Sequence, residues 1–418
     1  MTSMNTIRFI HCADLHLDRP FQTSRLPESV LRVIKESAFD SFARLVDIAV
    51  SEQIDFFIIS GDLYDLEHRS IKGQLFLKKQ AGRLNEVGIP LYIIHGNHDP
   101  LTETVREISL PANVHVFGPD TSSVLFEKDG IPAARIYGFS YGSRSVTEDP
   151  VSSYIKQKKD DALYHIAMLH GQEKMQEGHD PYAPFSLREL TETSFDYWAL
   201  GHIHKRQILS RDPFVVYPGN IQGGHKNEQG SKGGMLVELA HGGGQVSFLN
   251  TSPLDWHTIT LQIEGMDEIE ELFEAVEESV SLTVAEGKSS VIQLAVTGSG
   301  SLHDYLTTPG ADEDILEEVR ALYTAGRTFN WIETLTVKTL PSVDREREKE
   351  QQTVLGDLMN EADQLKEAPD LSDEALASLY EHRTARKYLK SLSTAEKKEL
   401  IERAEHWLIS RLVKEGGT

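Results

Sequence analysis

The chain has 418 residues, 39% hydrophobic and 26% charged, an ordinary globular composition with material for two to three domains at roughly 150 residues each. Acidic side chains outnumber basic ones 65 to 42, and the resulting net charge of −23 argues against a protein held to nucleic acid mainly by Lys and Arg. A single cysteine, Cys12, excludes an intrachain disulfide or a multi-Cys metal site and fits a reducing compartment. No apolar stretch approaches the roughly 20 residues that span a bilayer, and no basic-capped leader opens the sequence, so a cytoplasmic protein without a membrane partner is expected.

Short β-branched runs alternate with helical periods from Ile7 to about Asn250. Strands are expected at Ile7–Ile10, Phe56–Ser60, Leu91–His95, Ala134–Tyr137, Ile166–His170, Tyr197–Gly201, Val215–Tyr217 and Met235–Leu239, with helices at Glu28–Glu52 and Ile71–Val87. This is the texture of an α/β sandwich. From Trp256 a smaller α/β pattern follows: strand 257–263, helix 266–284, strand 291–297, helix 312–323 and strand 328–339. Residues 255–325 hold 16 acidic against two basic side chains, so this stretch alone carries −14. Beyond Pro341, the alternating charges of Asp344–Glu350 lead into Val354, Leu355, Leu358, Met359 and Leu365 at helical spacing. Further helices are expected over 373–392 and 393–414, headed by Ser372 and by the capping-box pattern Ser393-Thr-Ala-Glu396. The expected division is 1–252, an acidic α/β cap at 253–341, and a helical region at 342–418.

Five short motifs place metal-ligand types just after strands: Asp14-Leu-His16, Gly61-Asp62, Gly96-Asn97-His98-Asp99, His170-Gly171 and Gly201-His202-Ile-His204. Open α/β sheets build their sites in the loops beyond the carboxyl ends of strands. Each motif alone is common; five in this order supply the six to eight ligands, one a bridging carboxylate, that two divalent cations need. Asp14 and His16, two apart, fall on one side and can share an ion, as can His202 and His204. Asp62 suits the bridge, Asn97 offers a neutral oxygen, and His170 ends an apolar strand. Imidazoles mixed with carboxylates favour Mn²⁺, Fe or Zn²⁺ over Mg²⁺ or Ca²⁺, with manganese preferred. His98, next to Asn97, is free to face substrate as a proton donor or a phosphate contact, and Asp65 is placed to orient it. The chemistry that follows is phosphoester hydrolysis by an activated water.

Taken in order, these motifs resemble the calcineurin-like metallophosphoesterase signature, with its αββα sandwich. Within it, His11-Cys-Ala-Asp-Leu-His-Leu-Asp-Arg-Pro20, Gly-Asp62-Leu-Tyr-Asp65 and Tyr217-Pro-Gly-Asn-Ile-Gln-Gly223 are similar to the SbcD-type DNA repair exonucleases, and among them to the bacterial YhaO-like branch. The resemblance covers residues 7–250. It implies that Asp14, His16, Asp62 and His204 hold one manganese, that Asp62, Asn97, His170 and His202 hold the other, and that His98 is the catalytic histidine. It further implies a cap domain, then helices that grip an SbcC-type coiled-coil ATPase, with DNA as substrate; whether two copies pair as a homodimer is left open by the sequence. Basic candidates for phosphate contact around the motif loops are Arg19, His68, Arg69, Lys205, Arg206 and Lys226. Three functions compete: a DNA nuclease working with an ATPase, a small-molecule phosphodiesterase or phosphoprotein phosphatase, and a structural subunit. The residues beyond 252 and the filled ligand positions favour the first.

Overall fold

Successive side chains of an extended chain point to opposite faces, and strand β1 (Thr6–Cys12) buries both: Ile7 and Phe9 enter one apolar layer, Ile10 and Cys12 another. Strands covered on both faces read as unbroken apolar runs; β2 (Phe56–Ser60) and β3 (Leu91–Ile94) are of this kind. The computed structural model describes residues 6–19, 26–65, 69–101, 108–154, 162–174, 182–323, 328–342, 345–382 and 392–416. They form two units, one of 1–257, 284–291 and 325–331, the other of 258–283, 292–324 and 332–418.

In the first unit the chain continues through β4 (Val114–Val116), β5 (Ser122–Lys128), β6 (Ile131–Gly138), β7 (Tyr164–His170), β8 (Tyr197–Gly201), β9 (Gln207–Arg211), β10 (Phe214–Tyr217), β11 (Gly233–Ala240) and β12 (Gly243–Asn250). Two six-stranded sheets result, in the orders β12-β11-β1-β2-β3-β4 and β5-β6-β7-β8-β10-β9. Between them lies a core of Phe9, Phe56, Ile58, Ile136, Ile166, Met168 and Ala199. Helices α1 (Glu28–Ser51) and α2 (Ile71–Glu86) cover the outer face of the first sheet, setting Phe42, Leu45, Leu77 and Leu84 against Ile10, Phe57 and Ile59. Tyr154, Phe185 and Leu190, the last on α3 (Leu187–Glu192), cover Trp198 and Leu200 on the second. Each such side chain contributes about 1.5–3 kcal/mol when fully buried. The fold is therefore the expected αββα sandwich. Its central strands, β1-β2-β3 and β6-β7-β8-β10, run parallel, so within each sheet their carboxyl ends gather at one edge.

The second unit takes the end of β13 (Leu254–Gln262), then α4 (Ile269–Thr283), β14 (Ser289–Gly300), α5 (His303–Leu306), α6 (Ala311–Ala321) and β15 (Asn330–Pro341). The strand order is β13-β14-β15. Helix α4 buries Leu272, Val276 and Val280 and α6 buries Ile315 and Val319, so their many carboxylates are left outward. The chain ends in α7 (Arg345–Lys349), α8 (Val354–Glu367), α9 (Ser372–Glu381) and α10 (Thr394–Gly416). Ser393 and Glu396 form the expected capping box, Glu396 accepting from the Ser393 amide at 2.7 Å and Ser393 Oγ from the Glu396 amide at 3.3 Å. No helix among the described residues is long and apolar enough to cross a membrane.

The expected strands and helices are present with ends displaced by a few residues. Strands β4, β5, β9 and β12 escape a sequence reading because they lie at sheet edges and carry half-buried or exposed side chains rather than long apolar runs. Of the helix expected over 373–392, the described part is α9, and residues 383–391 lie outside the described residues.

The two sheets approach closely where β2 and β8 end. A Cβ on Gly201 would lie 1.8 Å from the Ser60 carbonyl oxygen, whereas one on Gly82, inside α2, would meet nothing within 4 Å. Gly201→Ala is therefore expected to cost about 1–3 kcal/mol through overpacking, and Gly82→Ala to add about 0.5–1 kcal/mol by helix propensity. Thermal melts of the two variants should move in opposite directions.

Candidate metal centre

Five strand ends deliver the expected residues to one place. Asp14 and His16 follow β1, Asp62 follows β2, Asn97 and His98 follow β3, His170 closes β7, and His202 and His204 follow β8. The loops after β1 and β2 are joined by amides of one and carbonyls of the other: Asp14 donates to Gly61 O at 3.0 Å, His16 to Asp62 O at 3.1 Å and Leu17 to Leu63 O at 3.0 Å. Asp14, His16, Asp62 and His202 all take the left-handed backbone region, with φ of 53°, 45°, 51° and 95°. Gly96 leaves room at the centre, since a Cβ there would sit 2.2 Å from Asp62 Oδ1 and 2.6 Å from His170 Nε2.

Ligand atoms fall into groups whose members lie within 4.8 Å of one another: Asp14, His16 and His204; Asp62, His170 and His202; and His16, Asp65 and His98. Asn97 joins the second, its Oδ1 3.0 Å from His170 Nε2. Asp62 turns Oδ2 to His170 Nε2 at 3.3 Å and accepts the His98 amide on Oδ1 at 3.0 Å. Asp14 accepts the His202 amide on both oxygens, at 3.0 and 3.1 Å.

Tautomers decide what this arrangement can hold. His170 Nδ1 donates to the Ser60 carbonyl at 2.9 Å, and His204 Nδ1 to Glu228 Oε1 at 2.5 Å, so in each neutral ring Nε2 is an acceptor. His16 faces Asp65 Oδ1 with Nδ1 at 2.9 Å and presents Nε2 to His204 Nε2 at 3.1 Å. Lone pairs thus meet lone pairs, at His16 with His204 and at His170 with Asn97 and Asp62. A proton or a metal ion resolves that geometry, and the donor set of imidazole, carboxylate and amide oxygen fits divalent metal.

Without metal, protons take that place. Burial alone would lower the His170 pKa, but Asp62 and then Asp14 reverse this and raise it to about 9. The His16 pKa is also raised: the Asp65 contact and the charges of Asp62 and Asp14 outweigh burial. Burial would push Asp62 up, yet its contact with His170 holds it far below the carboxylate range. Cys12 is fully buried, and burial, then Asp14, push its thiol well up, so it offers no thiolate.

One expected role widens and another changes. Asp65 contacts half-exposed His98, whose Nδ1 lies 3.4 Å from its carbonyl and 3.6 Å from Oδ1, and also holds His16 Nδ1 at 2.9 Å, a partner the motif order did not suggest. Arg69 is not a surface cation: it is buried and donates Nη2 to Asp99 O at 2.8 Å and Pro100 O at 3.2 Å. Arg19 is partly buried, with Nη1 3.5 Å from each Glu228 oxygen. Arg206 is exposed and stacks on Phe248, 3.5 Å from the ring centroid, while Lys205 and Lys226 are exposed. His68 lies outside the described residues.

Sequence reasoning passed over Glu228 and assigned nothing to Asp99. Asp99, fully buried, accepts from the Leu63 amide at 3.0 Å and the Gly96 amide at 2.9 Å, fastening the Asp62 loop to the Asn97 loop. A ligating histidine usually gives its second N–H to a carboxylate, and Glu228 is the sole acid between Tyr217 and Ser231; that was the available signal.

Because a metal ion needs neutral imidazole and His170 is protonated at pH 7 in the ion-free protein, loading at pH 7 should release protons. Apparent affinity should rise with pH and level off above about 9. Calorimetric titration with Mn²⁺ in buffers of different ionisation enthalpy reads the released protons directly; a heat independent of buffer contradicts the assignment of His170.

Comparison with known proteins agrees with this geometry. Residues 7–206 match the family described as calcineurin-like phosphoesterase, and residues 256–340 match the middle domain of metallophosphoesterase YhaO. YhaO of Bacillus subtilis (strain 168) is 38% identical over 412 residues, covering 96% of this chain and 97% of the relative. The DNA double-strand break repair protein Mre11 of Sulfurisphaera tokodaii is 25% identical over 281 residues, 63% of this chain and 68% of the relative. Mre11 of Saccharolobus solfataricus is 25% identical over 312 residues, 72% and 77% of the two chains. With identity to YhaO extending over nearly its whole length and the ligand residues gathered at its strand ends, the chain belongs to the calcineurin-like metallophosphoesterase family.

Proposed function

We propose that the protein is a dinuclear-metal phosphodiesterase that cleaves DNA as a repair nuclease. The observation that carries the hydrolytic part is the meeting of acceptor atoms in two groups, Asp14, His16 and His204 beside Asp62, His170 and His202. In this reading Asp62 would be shared by two ions and Asn97 would complete the second set, with Mn²⁺ the ion that suits these donors best. Divalent metals at such a site activate water and neutralise phosphate oxygens. The side chains supply the rest. His98 is half-exposed, its amide held by Asp62 at 3.0 Å and its Nδ1 3.4 Å from the Asp65 carbonyl, which leaves Nε2 to face substrate and protonate the departing oxygen.

DNA as substrate is supported by the likeness to proteins named DNA double-strand break repair protein Mre11 and by the exposed cations Lys205, Arg206 and Lys226 near the His204 and Glu228 loops. A coiled-coil ATPase is the proposed partner, taken up by the helical region 342–418 beyond a cap at 253–341. Helices α8, α9 and α10 support this with an apolar groove lined by Leu358, Leu365, Leu376, Leu400 and Leu408.

The test is hydrolysis of labelled duplex DNA and of bis-p-nitrophenyl phosphate with Mn²⁺, with and without the ATPase. Cleavage of both is expected; cleavage of the small diester alone turns the reading to a small-molecule phosphodiesterase. Asp62→Asn should abolish both activities and weaken metal binding while the protein still folds, and two ions retained with activity within tenfold of wild type contradict the bridge. His98→Asn should cut turnover by about 10²–10⁴ with metal content unchanged, so loss of metal in that variant makes His98 a ligand instead.

A further inference from the structure

We infer that Glu228 is the positioning residue that makes His204 a ligand; the inference rests on the dinuclear reading above. His204 sits on the loop after β8, with 29% of its side chain exposed. The χ2 torsion of histidine is broad, and a partly exposed ring on a loop has nothing of its own to fix which nitrogen points inward. Glu228 fixes it. Its Oε1 accepts from His204 Nδ1 at 2.5 Å, which places the proton on Nδ1 and leaves the Nε2 lone pair aimed at the atoms of Asp14 and His16.

The carboxylate can do this because its own partners hold it in place. Glu228 is 7% exposed, and its Oε2 accepts from the Gly224 amide at 2.6 Å and from Asn220 Nδ2 at 3.1 Å. Arg19 Nη1 lies 3.5 Å from each oxygen, and His225 Nε2 3.4 Å from Oε1. Loops from after β1, β8 and β10 therefore converge on one side chain. Across the site the arrangement is mirrored: Asp65 stands behind His16 at 2.9 Å, and the two imidazoles present Nε2 to each other at 3.1 Å. Charge-assisted bonds of this kind are short and orienting, and loss of such a partner typically weakens metal binding by about 10–100-fold.

A merely structural Glu228 would knit loops without choosing between ions. Full-length wild type, Glu228→Gln, Glu228→Ala and His204→Asn, and the double variant Glu228→Gln with His204→Asn, are titrated with Mn²⁺ by calorimetry. Co²⁺ is followed by visible absorption. Wild type should take up two ions. Each Glu228 variant should keep one at wild-type affinity and bind the other about 10–100-fold more weakly, with a changed Co²⁺ spectrum for that ion alone. In the His204→Asn background, Glu228→Gln should add nothing, because its effect passes through His204. The inference is overturned if Glu228→Gln, folded by ion-free melting, keeps both affinities, weakens both ions equally, or adds its full effect without His204. A wild type that binds fewer than two ions overturns the dinuclear reading instead, and the inference with it.

Discussion

Everything at this site depends on one electrostatic constraint: while the imidazoles are neutral, acceptors face acceptors, and each pair needs a proton or a metal ion between them. His16 Nε2 and His204 Nε2 stand 3.1 Å apart, and His170 Nε2 looks onto Asn97 and Asp62. In water each lone pair would be met by solvent; buried, the set is satisfied by added protons, as at His170, or by a metal ion that displaces them. The carboxylates Asp14 and Asp62 are almost wholly buried, so their charge is little screened by solvent. The αββα sandwich is the device that holds this unfavourable set together. Its apolar layers fix the strands, and the strands fix the loops.

The cost is visible in the backbone. Four of the site residues adopt positive φ, a conformation that costs non-glycine residues about 1–3 kcal/mol each. They are kept there by amide–carbonyl bonds between neighbouring loops and by carboxylates that accept from backbone amides, Asp99 from two loops and Asp14 from His202. The ion site and its scaffold are thus one network. Side chains that take no part in chemistry, such as Tyr141 donating to the His170 carbonyl at 2.8 Å, set where the ligands start.

Most of this edge was legible because strand ends and ligand types coincide in the chain. Asp14-Leu-His16 and His202-Ile-His204 show their pairing at a spacing of two, and apolar runs mark the strands before them. What stayed hidden is non-local. Glu228 lies 24 positions from the histidine that it holds, in a loop with no periodicity to mark it. Asp65 was read against His98, its partner by motif order, yet it also holds His16. Arg69 looked like a surface cation until its partners, the carbonyls of Asp99 and Pro100, were in view. Edge strands such as β5 and β9 carry their pairing in the backbone, which composition does not record.

The first unit is discontinuous. It draws in 284–291 and 325–331, and Val291, Phe329 and Trp331 pack with Leu254 and Trp256 over Val30 and Ile34 of α1. A chain emerging from the ribosome therefore cannot close this part of the core when residue 250 appears. It must wait until residue 331 has followed. Contacts so distant in sequence slow folding and prolong the exposure of apolar surface. For some 80 residues of synthesis, about 4–16 s at 5–20 residues per second, α1 travels with one apolar flank uncovered, and nascent-chain chaperones have their opening there.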